Sequence, residues 1–126
     1  MALSLNHLCL KIMYDFEELN NLIDKYLKDI CLEIEKTKYG GFENRAFLQS
    51  HLKKECNLRH FKINEFIHSK YPNEMPININ GNAQHTINTV LNIKAQGILA
   101  KRRNEFQLLC NQYYEQLDSR HSAEEN

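Results

Sequence analysis

The sequence predicts an all-α protein, a helical bundle of two long antiparallel helices with two short helices between them, and one extended loop rich in proline and asparagine. Apolar residues recur every three or four positions along most of the 126 residues, which is the period of amphipathic helices. Four glycines and two prolines are few enough to leave long helices uninterrupted. At this length we expect residues 1–126 to form a single domain, with a frayed polar tail at 119–126.

The first long helix is predicted from about residue 4 to about residue 37. Its apolar positions are Leu5, Leu8, Ile12, Phe16, Leu19, Ile23, Tyr26, Ile30 and Ile34. Gly40 and Gly41 are expected to end it, because glycine readily adopts the left-handed conformation that closes a helix. Asp15 and Glu18 have the spacing of a capping box, so a kink or restart near Asp15 is an alternative.

Two short helices are predicted next, separated by a tight join near Asn57. Their apolar residues are Phe42, Phe47, Leu48, Leu52 and Cys56 in one, and Phe61, Ile63, Phe66, Ile67 and Tyr71 in the other. Pro72 is expected to stop the second of them, because proline disfavours helical geometry in the residue before it. Residues 72–82 then read as a loop or one short extended segment.

The second long helix is predicted from Ala83 over about 34 residues, with Asn82 as its N-cap and Gly97 as its weak point. Two long helices cannot bury their whole apolar stripes on such short neighbours. We therefore expect them to pack antiparallel on each other and to bury the remainder against a second subunit.

Charge is unevenly distributed along a chain whose formal net charge is zero. Residues 41–103 carry a net charge of +6, and the two ends together carry −6. A basic middle can be neutralised by the acidic ends, or it can be an exposed face that meets an acidic partner. The sequence leaves both alternatives open.

The four cysteines, Cys9, Cys31, Cys56 and Cys110, each fall on an apolar stripe and form no C-x-x-C pair. Buried free thiols are the expected role. The chain has no apolar run long enough to span a membrane and no basic, apolar leader at its start. We therefore expect a cytoplasmic protein with no membrane partner and no cofactor.

The region 42–71 has the outline of a basic helix-turn-helix, which favours DNA or RNA binding as an alternative function. The candidate phosphate-binding residues, including two from the second long helix, are Arg45, Lys53, Lys54, Arg59, Lys62, Lys70, Lys101 and Arg103. A weaker pattern is the H-x4-C-x3-H-x7-H spacing of His51, Cys56, His60 and His68. These are zinc-ligand types, but a helix break at Asn57 would separate the first two from the others.

Arg45 and His51, in the segment RAFLQSH, resemble the R-x4-6-H motif of the HEPN ribonucleases. That resemblance implies a compact helical bundle that dimerises, pairs an arginine and a histidine at a shared cleft, and cleaves RNA without a metal. It covers these two residues, and here the motif opens the second helix, whereas the family places it near the start of a late helix.

We expect a small, non-enzymatic helical interaction or regulatory protein, of the adaptor, immunity or antitoxin kind, that docks to a protein partner and self-associates. Amphipathic surface is abundant in this sequence, and no convincing active-site motif accompanies it. Nucleic-acid binding and HEPN-like ribonuclease activity are the alternatives.

Overall fold

Three helices make up the part of the chain that the computed structural model describes, namely the backbone of 5–39, 44–72 and 83–125 and the side chains of 16–38, 44–72 and 87–119. They are α1 (Leu5–Tyr39), α2 (Arg45–Lys70) and α3 (Ala83–Glu125). The predicted all-α class is confirmed. At 1.5 Å per residue, the 43 residues of α3 span about 65 Å.

Helix α1 is continuous through Asp15, so the restart considered there is wrong. Its apolar period continues on both sides of that residue, and buried Leu19, Ile23 and Ile30 lie on one stripe. Cys31 was expected to be buried but is exposed. The predicted glycine stop at Gly40 and Gly41 lies outside the described residues, as does the side chain of Cys9.

Helix α2 replaces the two short helices predicted for this region. It runs through Asn57 without a turn, because its buried stripe of Leu52, Cys56 and Ile63 continues across that position. An asparagine inside a helix costs only about 0.7 kcal/mol, less than burial of one such apolar side chain contributes. The helix-turn-helix outline is therefore wrong.

The residues at both ends of α2 explain where the helix begins and ends. Asn44 is extended (φ −138°) and its side-chain oxygen accepts a hydrogen bond from the Ala46 amide at 2.7 Å, which is an N-cap. At the other end the Tyr71 amide donates to the Ile67 carbonyl at 2.8 Å, and Pro72 follows. The predicted stop at Pro72 is confirmed.

Helix α3 begins at Ala83 as predicted but continues beyond the predicted end near residue 117 to Glu125. The backbone of 119–125 is thus helical, where a frayed tail was expected. The predicted N-cap Asn82 and most of the predicted Pro/Asn-rich loop, 73–82, lie outside the described residues.

The directions of the helices correct the predicted packing. Along α1, Asn20 contacts Arg102 and Thr37 contacts Tyr113, so α1 and α3 run parallel. The predicted antiparallel pair of long helices is wrong because α2 is itself long. The chain reverses once into α2 and once out of it, and α2 lies antiparallel to both neighbours.

The core runs between the three helices and is closed near each end by a buried polar group. The Thr37 hydroxyl donates to the Ile34 carbonyl at 2.6 Å, and its oxygen lies 3.3 Å from the Tyr113 hydroxyl, which can donate to it. Near the other end, Asn92 of α3 donates to the Tyr71 carbonyl at 2.7 Å. That carbonyl at the end of α2 has no partner within its own helix, so Asn92 satisfies a group that would otherwise be buried without a hydrogen bond.

Candidate functional site

Ion pairs between helices decide part of the charge question that the sequence leaves open. Four of the basic side chains in the middle of the chain form ion pairs with acids of its two ends. The pairs are Arg45 with Asp118, Arg59 with Asp29, Lys70 with Glu18, and Arg102 with Asp24. The first alternative, internal neutralisation, therefore accounts for part of the basic middle.

Arg102 is the most fully bonded of these cations. Its Nε lies 2.7 Å from a Glu105 oxygen, and its Nη1 donates to the Asn20 backbone carbonyl at 3.2 Å and to the side-chain oxygen at 3.1 Å. Hydrogen bonds and charge from Glu105 and Asp24 raise the pKa of the guanidinium, although burial opposes them. Arg102 thus joins α3 to α1.

The rest of the basic middle stays exposed. Six of its cations form no ion pair among the described residues; these are Lys53, Lys54, Lys62, Lys94, Lys101 and Arg103. All of these except Lys94 belong to the predicted nucleic-acid-binding set, whereas Arg45, Arg59 and Lys70 of that set form ion pairs between helices.

Exposed apolar side chains share one face of α2 with two of these cations. We define the α2 outer face as Phe47, Lys54, Leu58, Phe61 and Lys62, which follow one another at spacings of seven, four, three and one. Phe47 is 66% exposed, Leu58 46% and Phe61 60%. This face points away from the buried stripe of α2, so α2 is apolar on two opposite sides. Phe47 and Phe61 belong to the apolar sets from which the sequence predicts two short helices, but both are exposed, unlike Leu52 and Ile63 of the same sets.

A groove between α2 and α3 adjoins the α2 outer face at Phe61. It holds a pocket of about 350 Å³ lined also by His60, Asn64, Gln96 and Arg103. The Gln96 amide donates to Asn64 at 2.7 Å across the groove. The pocket thus has amides and a cation, and the residues lining it include no carboxylate.

His60 packs the edge of its ring against Phe106, with ring centroids 4.7 Å apart. Both of its ring nitrogens are buried without a hydrogen-bond partner among the described residues. Burial, and to a lesser extent the charge of Arg103, lower the pKa of this imidazole below its usual 6.5. His60 is therefore held in its neutral form.

Further along the same groove, two buried cysteines face each other. The Sγ atoms of Cys56 and Cys110 are 3.9 Å apart, and a pocket of about 210 Å³ beside them is lined also by Lys53, Gln107 and Tyr114. Burial and the neighbouring thiols raise the pKa of Tyr114 to about 12. The sequence prediction of buried free thiols is confirmed for Cys56 and Cys110.

The structure does not bring together the two residues of the ribonuclease hypothesis. Arg45 bonds Asp118 and lies over the ring of Tyr114, both on α3, with 5.6 Å to the ring centroid. His51 instead faces α1, where its Nε2 lies 3.4 Å from an oxygen of Glu33. Within one chain they belong to different helix interfaces.

The four metal candidates are also dispersed. His51 faces Glu33, Cys56 faces Cys110, and His60 packs on Phe106. His68 lies with its Nδ1 3.3 Å from the Asn92 amide. In the described ranges no three His, Cys, Asp or Glu side chains are close enough together to hold a metal ion.

Two features of the structure were not predicted from the sequence, the α2 outer face and the cysteine pair. The first was hidden by the break predicted at Asn57, because a continuous helix fixes which apolar positions share a side. With that break removed, the spacing of Phe47, Leu58 and Phe61 predicts a second stripe. The contact of Cys56 with Cys110 depends on the rotation of α2 against α3, for which the sequence has no local signal.

Comparison of the chain with models of known protein families, with curated proteins and with solved structures finds no match. None of the helices in the described part of the chain has an apolar stretch long enough to cross a membrane.

Proposed function

We propose that this chain is a small helical interaction protein that binds an acidic amphipathic helix of a partner protein along the α2 outer face. The observation that carries the proposal is the exposure of Phe47, Leu58 and Phe61 on one side of α2, interleaved with Lys54 and Lys62. Large apolar side chains clustered on a surface are typical of protein interfaces.

The spacing of this face suits a helical partner. Phe47 to Phe61 spans about 21 Å at 1.5 Å per residue, which matches four turns of a partner helix. Because these side chains are about half exposed, completing their burial contributes roughly 3–5 kcal/mol, and association and side-chain ordering oppose this gain. A weak, reversible complex is the expected result.

The charged residues on and beside the α2 outer face indicate which charges its partner should carry. Lys54 and Lys62 flank the apolar residues and form no ion pair among the described residues, so carboxylates of the partner would meet them. Glu65, one turn beyond Phe61, is exposed and favours a basic residue at that end of the partner. A second copy of the chain fits less well here, because two such faces would oppose lysine to lysine.

The self-association predicted from the sequence stays a prediction, although the reason first given for it no longer holds. The surplus apolar stripe of the two long helices was expected to need a second subunit. Helix α2 now covers both stripes along 26 residues. Light scattering of the purified chain tests this prediction separately.

Selection from a displayed library of amphipathic 18-residue helices, with the whole chain as bait, tests the proposal. We expect enriched peptides to combine an apolar stripe with flanking Asp and Glu. Phe61→Ala should weaken binding of an enriched peptide by about tenfold, because truncation of an aromatic anchor of an interface typically costs more than 1 kcal/mol. Leu32→Ala is the matched control, since Leu32 is 59% exposed but lies on α1.

Three results would overturn the proposal. One is enrichment of peptides without acidic residues, and another is equal loss of binding in Phe61→Ala and Leu32→Ala. The third is salt-sensitive binding of a single-stranded RNA probe with no peptide enriched. That result would favour the nucleic-acid alternative, with the exposed lysines as phosphate-binding residues.

A further inference from the structure

Two thiols face each other in the groove between α2 and α3. Cys56 lies on the buried side of α2, opposite the α2 outer face. Cys56 is 7% exposed and Cys110 3%, and 54 positions of sequence separate them. Their Sγ atoms, 3.9 Å apart, must approach by about 1.9 Å to reach a disulfide bond length. Side-chain rotation supplies movements of this size.

We propose that Cys56 and Cys110 form a reversible thiol–disulfide site that is oxidised by small hydroperoxides. Hydrogen peroxide is the simplest member of that class. The pocket of about 210 Å³ beside both cysteines admits it, because a water molecule occupies roughly 30 Å³. A folded protein oxidant cannot reach these sulfurs through such a pocket.

Either thiol can donate the hydrogen bond that joins the two sulfurs. Donation by Cys56 lowers the pKa of Cys110, although burial opposes it, and raises the pKa of Cys56, as burial also does. We therefore assign the first attack to Cys110 and resolution of the product to Cys56, an order that labelling with dimedone distinguishes from the reverse.

The chemistry balances in two steps. The Cys110 thiolate attacks one peroxide oxygen and the O–O bond breaks, giving a Cys110 sulfenic acid and a hydroxide that takes up a proton to form water. Cys56 then attacks the Cys110 sulfur, loses its proton and expels the hydroxyl group as a second water. Two thiols lose two electrons in total, and one peroxide is reduced to two waters.

The product would join α2 to α3 covalently. A bridge between residues 54 positions apart restricts the unfolded chain, and the unfolding temperature is expected to rise by roughly 10 °C. A small dithiol such as dithiothreitol should reverse this change.

The test uses the full chain with Cys9→Ser and Cys31→Ser, so that these two thiols alone remain. Hydrogen peroxide should remove both free thiols, lower the mass by two hydrogen atoms and yield a peptide that links residues 56 and 110. In this background, Cys56→Ser should accumulate a Cys110 sulfenic acid that reacts with dimedone, and Cys110→Ser should not label at Cys56. Circular dichroism confirms that each variant is helical, and Cys56→Ala and Cys110→Ala replace any that is not.

Oxygen addition without loss of hydrogen, disulfides between chains, or thiols that react only after unfolding would each overturn the proposal. Dimedone labelling of Cys56 in preference to Cys110 would overturn the assigned roles. Cys31, which is exposed on α1, provides the reactivity of an ordinary thiol in the wild-type chain.

Discussion

Neighbouring residues with the same side chain have opposite roles in this bundle. Arg102 and Arg103 are adjacent on α3, yet Arg102 bonds two carboxylates and a backbone carbonyl while Arg103 is exposed beside the groove. One position along a helix rotates a side chain by 100°, which is enough to move it from an interface to solvent. Composition and charge counts cannot separate two such residues.

Replacing Arg102 by alanine is expected to lower the free energy of unfolding by about 1–2 kcal/mol, since charged hydrogen bonds between α1 and α3 are lost. Arg103→Ala is the matched control and should change stability by less than about 0.5 kcal/mol. Chemical denaturation measures both. Equal effects of the two substitutions would contradict the role given to Arg102.

His60 makes stability depend on pH. Its pKa in the folded chain lies below the usual 6.5, so the unfolded chain binds the proton first as pH falls. The free energy of unfolding should therefore decrease as pH falls below about 6.5 and level off below the lowered folded pKa. His60→Phe, which keeps a ring against Phe106, should remove this part of the slope.

Denaturation series between pH 8 and pH 5 on wild type and His60→Phe measure the difference. Arg103→Met is the second variant and should flatten the slope in part, because it removes the cation that disfavours a charged His60. An unchanged slope in His60→Phe would contradict a neutral, buried imidazole.

At the scale of elements, burial along a whole helix outweighs single weak positions. Asn57 in α2 and Gly97 in α3 both interrupt good helical sequence, and both helices run through them. The start at Ala83 and the stop at Pro72 were predictable because backbone chemistry sets them locally. The continuity of α2 was not, because it depends on packing against α1 and α3.

Substitution of Gly97 measures the cost of one weak position inside a long helix. Gly97 is exposed, and beyond its chain neighbours and the backbone of its own turn of helix, a Cβ atom built there meets no atom within 4 Å. Gly97→Ala should therefore stabilise the chain by about 0.5–1 kcal/mol, because alanine loses less backbone freedom in a helix. Ala100→Gly, at another exposed position of α3, should destabilise it by a similar amount. Thermal unfolding of both variants checks this; destabilisation by Gly97→Ala would mean that another helix approaches this face closely.

At the scale of the whole molecule, the sequence predicts the class and most helix limits but not the directions. The apolar stripes of α1 and α3 are compatible with parallel or antiparallel packing. The break wrongly predicted in α2 was enough to make the antiparallel pair the expected one. Partial neutralisation of the basic middle was one of two open alternatives, since pairing of Arg45 with Asp118 or Lys70 with Glu18 requires the finished fold.

Distances between spin labels test the parallel arrangement of α1 and α3. Asn21 lies at the level of Lys101, and Lys36 at the level of Gln112, about 22 Å further along α1 at 1.5 Å per residue. The pairs 21–101 and 36–112 should therefore both give shorter distances than the crossed pairs 21–112 and 36–101. Shorter distances for the crossed pairs would contradict the parallel arrangement and restore the antiparallel one.

The proposed docking along α2 is tested most directly by reciprocal charge reversal. The Lys54→Glu/Lys62→Glu variant should bind an enriched acidic peptide about tenfold more weakly and gain affinity for the same peptide with Lys in place of Asp and Glu. The Lys94→Glu/Lys101→Glu variant makes the same change of charge on α3 and should bind the acidic peptide as the wild type does. Titration calorimetry of the three proteins with both peptides is the measurement. Equal loss in the two variants, or no gain with the reversed peptide, would contradict docking on the α2 outer face.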